Sequence, residues 1–191
     1  MNKNISKIIV AAAITVAAGV IFFHRALAPQ TSLKPAEAEA ASFEYLSSHG
    51  NSSCSGAFLG SIPAVDDSTR LMGSCCSPMV KAKYEEQVKG LKQYKDIPEI
   101  PVNPYNIPAT QVKRMLEWQK SITLSADEQK TYDDAINMSM EHGPCCCTCW
   151  HWFAYEGLAK LLVTKYRFDG KAVAHVWDLS DGCGGDDHHD T

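Results

Sequence analysis

Eight cysteines carry most of the chemical potential of this 191-residue chain, and four of them fall within five residues. The segment is His142-Gly143-Pro144-Cys145-Cys146-Cys147-Thr148-Cys149-Trp150-His151. Thiolates ligate soft and borderline metal ions, and they are also the nucleophiles of disulfide exchange. Cys145, Cys147 and Cys149 form C-x-C-x-C, which in an extended segment sets three sulfurs on one side. Cys146 and Cys149 form C-x-x-C, the spacing of half a zinc site or of a redox dithiol. If a helix begins here, Cys145 and Cys149 share a face, and the helix N-terminus favours thiolate. His142 and His151 flank the run as auxiliary imidazole ligands. Trp150 stands where haem attachment through C-x-x-C-H requires histidine, so that chemistry is excluded.

Two further elements supply sulfur. Ser74-Cys75-Cys76-Ser77-Pro78 reads as the start of a helix, and Cys183 sits among Gly182, Gly184 and Gly185, whose backbone freedom lets it approach another site. Two cysteine clusters at two helix starts can meet in space and share copper, zinc or mercury. Adjacent cysteines bridge each other poorly. A disulfide scaffold therefore needs distant partners for Cys145, Cys146 and Cys147, and Cys54, Cys75, Cys76 and Cys183 are available. Three readings stand side by side: metal binding, thiol–disulfide exchange through Cys146 and Cys149, and a disulfide-braced interaction domain without chemistry. The C-terminal Asp186-Asp187-His188-His189-Asp190 offers divalent-ion ligands, but reads better as a solvated acidic tail.

The frame Pro144-Cys145-Cys146-Cys147-Thr148-Cys149 fits P-C-x-C-x-C, and with Val176-Trp177-Asp178 and Gly182-Cys183-Gly184 it resembles the exported bacterial proteins called PCYCGC-motif proteins. The likeness covers about residues 130–185. Cys146 replaces the family's Tyr, Thr148 its Gly, and Asp186 stands where a further cysteine is expected. The resemblance implies export and a cysteine-centred site. It implies no reaction.

The elements that must position these residues read as helices. Val80, Tyr84, Val88 and Leu91 form an apolar stripe behind Ser77 and Pro78, a cap and a first helical residue. Thr110 to Gln119 is a short helix, and Ser125 to Glu128 has capping-box spacing for one ending near Met140. Another runs from near Cys147 to Tyr166. Asp169 caps the last, which Gly182 stops. Trp150, Trp152, Phe153 and Trp177 fit helix burial. Residues 29–42 read as a linker and 43–76 mostly as loop. No segment alternates like a strand, so the expected fold is all-α, a small irregular helical domain over residues 43–191, without the βαβ context of a thioredoxin-like enzyme.

Ile8 to Phe23 is an uncharged apolar run of 16 residues behind Lys3 and Lys7, the layout of a secretory signal. Ala26-Leu27-Ala28 has cleavage-site form, but Pro29 disfavours cutting. Residues 1–28 thus read as a cleaved signal or an uncleaved membrane anchor, and the body as exported, periplasmic or otherwise extracytoplasmic. Without Lys3, Lys7 and Arg25 the chain keeps 15 basic against 22 acidic groups, a balance of −7. That field disfavours phosphate backbones and argues against nucleic-acid binding. The expected function is binding of a copper or zinc ion through Cys145, Cys146, Cys147 and Cys149. Cys75, Cys76, Cys183, His142 and His151 complete the site or its walls, and the protein is more a binder than an enzyme. Storage, delivery and detoxification are equally compatible.

Overall fold

Capping chemistry sets the helix ends of the structure, a computed structural model that describes residues 35–185. The apolar N-terminal run and the acidic tail, with the expectations placed on them, lie outside the described residues. Seven α-helices are present among those residues: α1 (Pro35–Ser48), α2 (Gly56–Ser61), α3 (Lys81–Leu91), α4 (Ala109–Ser121), α5 (Ala126–Met138), α6 (Trp150–Tyr166) and α7 (Gly170–Ser180). Ser125 accepts the Glu128 backbone N–H while the Glu128 carboxylate accepts from the Ser125 backbone, the reciprocal capping box expected for α5. Asp169 likewise accepts the Ala172 N–H and opens α7. Among the described residues no helix is long and apolar enough to cross a membrane.

The core lies between α4, α5, α6 and α7. Helix α6 buries residues on several faces, Trp150, Tyr155, Leu158 and Leu162 among them, because α4 covers one side and α5 and α7 another. At Gly157 the backbones of α6 and α4 touch, leaving no room for a Cβ, which would lie 1.9 Å from the Met115 carbonyl oxygen. Trp177 of α7 stacks edge-on against Tyr132 of α5 and donates its indole N–H to the Tyr155 carbonyl at 3.2 Å. That bond satisfies the one polar atom of a fully buried ring.

Three expectations are corrected. The linker and loop expected up to residue 48 give way to α1 from Pro35 onward, since its Ala and Glu residues are strong helix formers. Leu46 and Phe43 of α1 dock on a second cluster containing Tyr84 and Tyr105. Ser77 and Pro78 do not cap α3, which begins at Lys81 behind Val80; their backbone is used elsewhere. The fold is mostly helical rather than purely so. Strands β1 (Arg70–Met72) and β2 (Asn106–Pro108) pair antiparallel, with Leu71 opposite Ile107. Both of these side chains are buried, which holds a long connection against the core. Three residues per strand are too few to show alternation in the sequence.

Candidate metal centre

Four separate segments bring the cysteines together, and backbone hydrogen bonds set their register. The Cys54 N–H donates to the Cys75 carbonyl at 3.0 Å, and the Cys75 N–H donates to the Gly182 carbonyl at 2.9 Å. Ser77 N–H then donates to the Cys183 carbonyl at 2.8 Å, and Gly185 N–H to the Pro78 carbonyl at 2.9 Å. This ladder is where the backbone of Ser77 and Pro78 is spent. Gly184 lies inside it at φ 70°, and a Cβ there would sit 2.3 Å from the Ser77 carbonyl oxygen. Only glycine fits that register. The fourth segment, residues 143–149, is a run of bends between α5 and α6, in which Cys149 is the residue immediately before α6.

The sulfurs sort into two groups. Cys75, Cys145 and Cys149 are all buried, and their sulfurs lie within 4.8 Å of one another. Cys76, Cys146, Cys147 and Cys183 form an outer set on the same criterion, and Cys146 and Cys183 are joined by a disulfide. The sets abut: Cys75 and Cys76 sulfurs are 3.7 Å apart, and those of Cys145 and Cys183 are 2.9 Å apart. Within the inner trio Cys145 and Cys149 are 3.9 Å apart, and across the outer set Cys76 and Cys147 are 3.4 Å apart. Trp152 packs over the sulfurs. The clusters are therefore placed to hold a metal ion or to form disulfides.

Charge is not shared evenly. Cys149 is held far below the ordinary thiol range because Cys145 and Cys75 direct their thiols at it. The Trp152 backbone N–H, in the first turn of α6, reinforces that shift against the cost of burial. Cys75 is pushed up by its contacts with Cys145 and Cys149, and Cys145 by its contact with Cys149, with burial adding to both. The Cys75 thiol also donates to the Gly182 carbonyl at 3.3 Å, which ties the trio to the segment before Cys183.

Neither histidine joins a sulfur group among the described residues. His142 is exposed, at φ 49° in the turn leaving α5. His151 is 1% exposed and stacks on Tyr155 at 4.2 Å, with no hydrogen-bond partner for either ring nitrogen. Burial pushes its pKa down. A neutral imidazole there walls the site on the Gly182 side, whose Cβ position would be 2.9 Å from the ring. Both residues, expected as auxiliary ligands, lie outside the two sulfur groups among the described residues.

Asp181 fixes the segment that carries Cys183. Its carboxylate accepts the Cys183 N–H at 3.1 Å and pairs with Lys83 Nζ at 2.9 Å, while its carbonyl accepts from Gln87 Nε2 at 2.8 Å. Both partners of the ion pair are largely buried, so removing one strands the other. Lys83→Met is expected to cost about 3 kcal/mol in urea unfolding, by leaving the Asp181 charge without its cation. A loss below about 1 kcal/mol would show that the carboxylate is adequately held by Cys183 alone.

Cys54 entered the sequence reading only as a disulfide partner for the main run. It is exposed, yet it reaches the Cys76 thiol, so all eight cysteines belong to one patch. A lone cysteine in a Ser- and Gly-rich stretch carries no spacing signal; only the backbone ladder places it. No family model matches the chain, and neither the curated proteins nor the solved structures contain a match to it.

Proposed function

We propose that this is an exported protein that holds one soft metal ion, cuprous copper in preference to zinc, on Cys75, Cys145 and Cys149. The observation that carries the reading is the dry, three-sulfur geometry. A metal–sulfur bond of about 2.3 Å places the sulfurs of a trigonal site about 4.0 Å apart. The 3.9 Å between Cys145 and Cys149 meets that spacing. Zinc takes four ligands in closed sites. Cys76 reaches Cys75 but is not grouped with the whole trio, and of the other neighbours Cys183 is in the disulfide and Asp181 is committed to Lys83. Soft thiolates with no fourth donor suit a three-coordinate monovalent ion.

Export is supported by Lys3, Lys7 and the apolar run after them, which also supply a membrane attachment if the segment stays uncleaved. Membership of the PCYCGC-motif proteins is part of the same proposal. Outside the cytosol free thiols are oxidised unless something holds them, and a bound ion does so. Storage, delivery and detoxification are all consistent with such a site.

A second reading, thiol–disulfide exchange, draws on one observation: the Cys145 sulfur lies 2.9 Å from the disulfide sulfur of Cys183. It is the weaker, since the Cys149 contact and burial push the Cys145 pKa up, which disfavours the thiolate that exchange requires. The test is elemental analysis with thiol counting on the full chain, purified without tag or chelator. About one equivalent of copper, with thiols that react only after chelation, is the expected result. Absence of metal and of reactive thiols would establish a disulfide scaffold and overturn the proposal. Turnover of an insulin disulfide by the metal-free chain would instead favour exchange.

A further inference from the structure

We propose that Cys76, Cys146, Cys147 and Cys183 form a second metal site whose ligand number is set by the Cys146–Cys183 disulfide, with two thiols while the bridge is closed and four when it is open. The proposal rests on the reading of the inner trio as the first site and adds a capacity controlled by redox state.

The four sulfurs already lie within 4.8 Å of one another. Thiolates that share cuprous ions at bonds of about 2.3 Å lie about 3.8–4.0 Å apart, whether three or four surround an ion. Cys76 and Cys147, at 3.4 Å, need a shift of only a few tenths of an ångström to meet that spacing. The framework holding them does not depend on the bridge. Cys76 is held between the Cys75 and Ser77 rungs of the backbone ladder, Cys183 accepts at the second of these, and Cys146 and Cys147 lie in the bends between α5 and α6. Opening the bridge therefore adds two sulfurs to a site whose other two are in place. A bridge that served only as a brace would not require two free thiols in the same group.

Contact between the groups suits a shared cluster. Cys145 with Cys183, and Cys75 with Cys76, bring sulfurs of the two sites to 2.9 and 3.7 Å. Thiolates so close can bridge two cuprous ions, which lowers the repulsion between the added thiolates. The reductant is an external thiol or dithiol. Its thiolate attacks Cys146, the sulfur less covered than buried Cys183, forming a mixed disulfide and expelling Cys183 as thiolate. A second thiol of the reductant then attacks the mixed disulfide and releases Cys146. Two electrons have passed to the bridge, and the reductant leaves as its own disulfide. Any protons taken up by Cys146 and Cys183 are released again when the ion binds.

The probe is cuprous ion, supplied anaerobically to the full chain, with loosely held copper removed by a competing chelator. Copper per chain is counted before and after reduction, the reductant being removed first and thiol titration verifying that the bridge has opened. The expected count rises from one to two. In Cys76→Ser/Cys147→Ser, where the exposed and half-buried partners are lost without touching the trio or the bridge, it stays at one in both states. A wild-type count of one in both states overturns this inference and leaves the inner site standing. A rise to two in the double variant overturns the assignment of the outer ligands. A count of zero in both states overturns the inner site and this inference together.

Discussion

Cys149→Ser is expected to abolish stoichiometric copper, whereas Cys147→Ser leaves the single ion of the oxidised chain in place. A structural metal site contributes about 12 kcal/mol over four ligands, so each ligand carries about 3 kcal/mol, roughly a hundredfold in affinity. Cys149 should exceed that share. It is the sulfur whose pKa is lowered by its contacts with Cys145 and Cys75 and by the Trp152 N–H, so it is the readiest of the three to meet the ion as thiolate. A serine hydroxyl at the head of α6 remains protonated and hard, and cannot replace it. Cys147 lies in the outer group, 3.4 Å from Cys76, and does not belong to the trio. The measurement is copper per chain after dialysis against a chelator of graded strength, with the bridge closed. Equal retention by Cys149→Ser and wild type would exclude the inner trio as the site. Loss in Cys147→Ser equal to that in Cys149→Ser would mean that the two groups act as one.

That contrast marks how far the site was legible in the sequence. The residue types pointed to thiol chemistry, and Cys75, Cys76 and Cys183 do lie beside the main run. Spacing then misled. C-x-C-x-C predicts three sulfurs on one side, but the segment is a run of bends, and Cys147 points to the outer group while Cys145 and Cys149 point inward. The helical reading put Cys145 beside Cys149 for the wrong reason. Their sulfurs do meet, at 3.9 Å, because a bend folds Cys145 back over the start of α6. Histidines next to the run looked like ligands, yet His151 faces a ring and a glycine. Direction of a side chain in a turn depends on backbone angles that periodicity does not encode.

The fold divides in the same way. Capping residues act through contacts three residues away, so Ser125 with Glu128 and Asp169 were readable and are present. Ser77 and Pro78 carry the same local signal, but the ladder to residues 183 and 185 takes their backbone, and a tertiary pairing overrides a cap. Helix α1 was missed because its opening reads as a Pro-, Ala- and Glu-rich linker. Its stability comes from docking Phe43 and Leu46 on α3 and its neighbours, which are distant in sequence. Gly157 in α6 is the sharpest case. In sequence it is a flaw in a helix; in the structure it is the point where two helices close.

Gly157→Ala is therefore expected to destabilise the protein although alanine is the better helix former. The gain in propensity is about 1 kcal/mol. Against it, the new Cβ would lie 1.9 Å from the Met115 carbonyl oxygen and 2.6 Å from the Gln119 backbone nitrogen. Both are backbone atoms of α4, so no rotamer change relieves the clash, and the α4–α6 pair must separate along its packed length. Overpacking of this kind costs about 3 kcal/mol or more. The net loss is about 2 kcal/mol, or a fall in Tm of about 6 °C for a domain of this size. Gly60→Ala provides the opposite sign from the same chemical change. Gly60 lies within α2 with open space around its Cβ position, and the substitution should stabilise by about 0.5–1 kcal/mol. Urea unfolding of the two variants reads the comparison directly. A Gly157→Ala chain as stable as wild type would mean that α4 and α6 do not approach as closely as the packing requires, and the frame that holds the start of α6 and Cys149 would have to be redrawn.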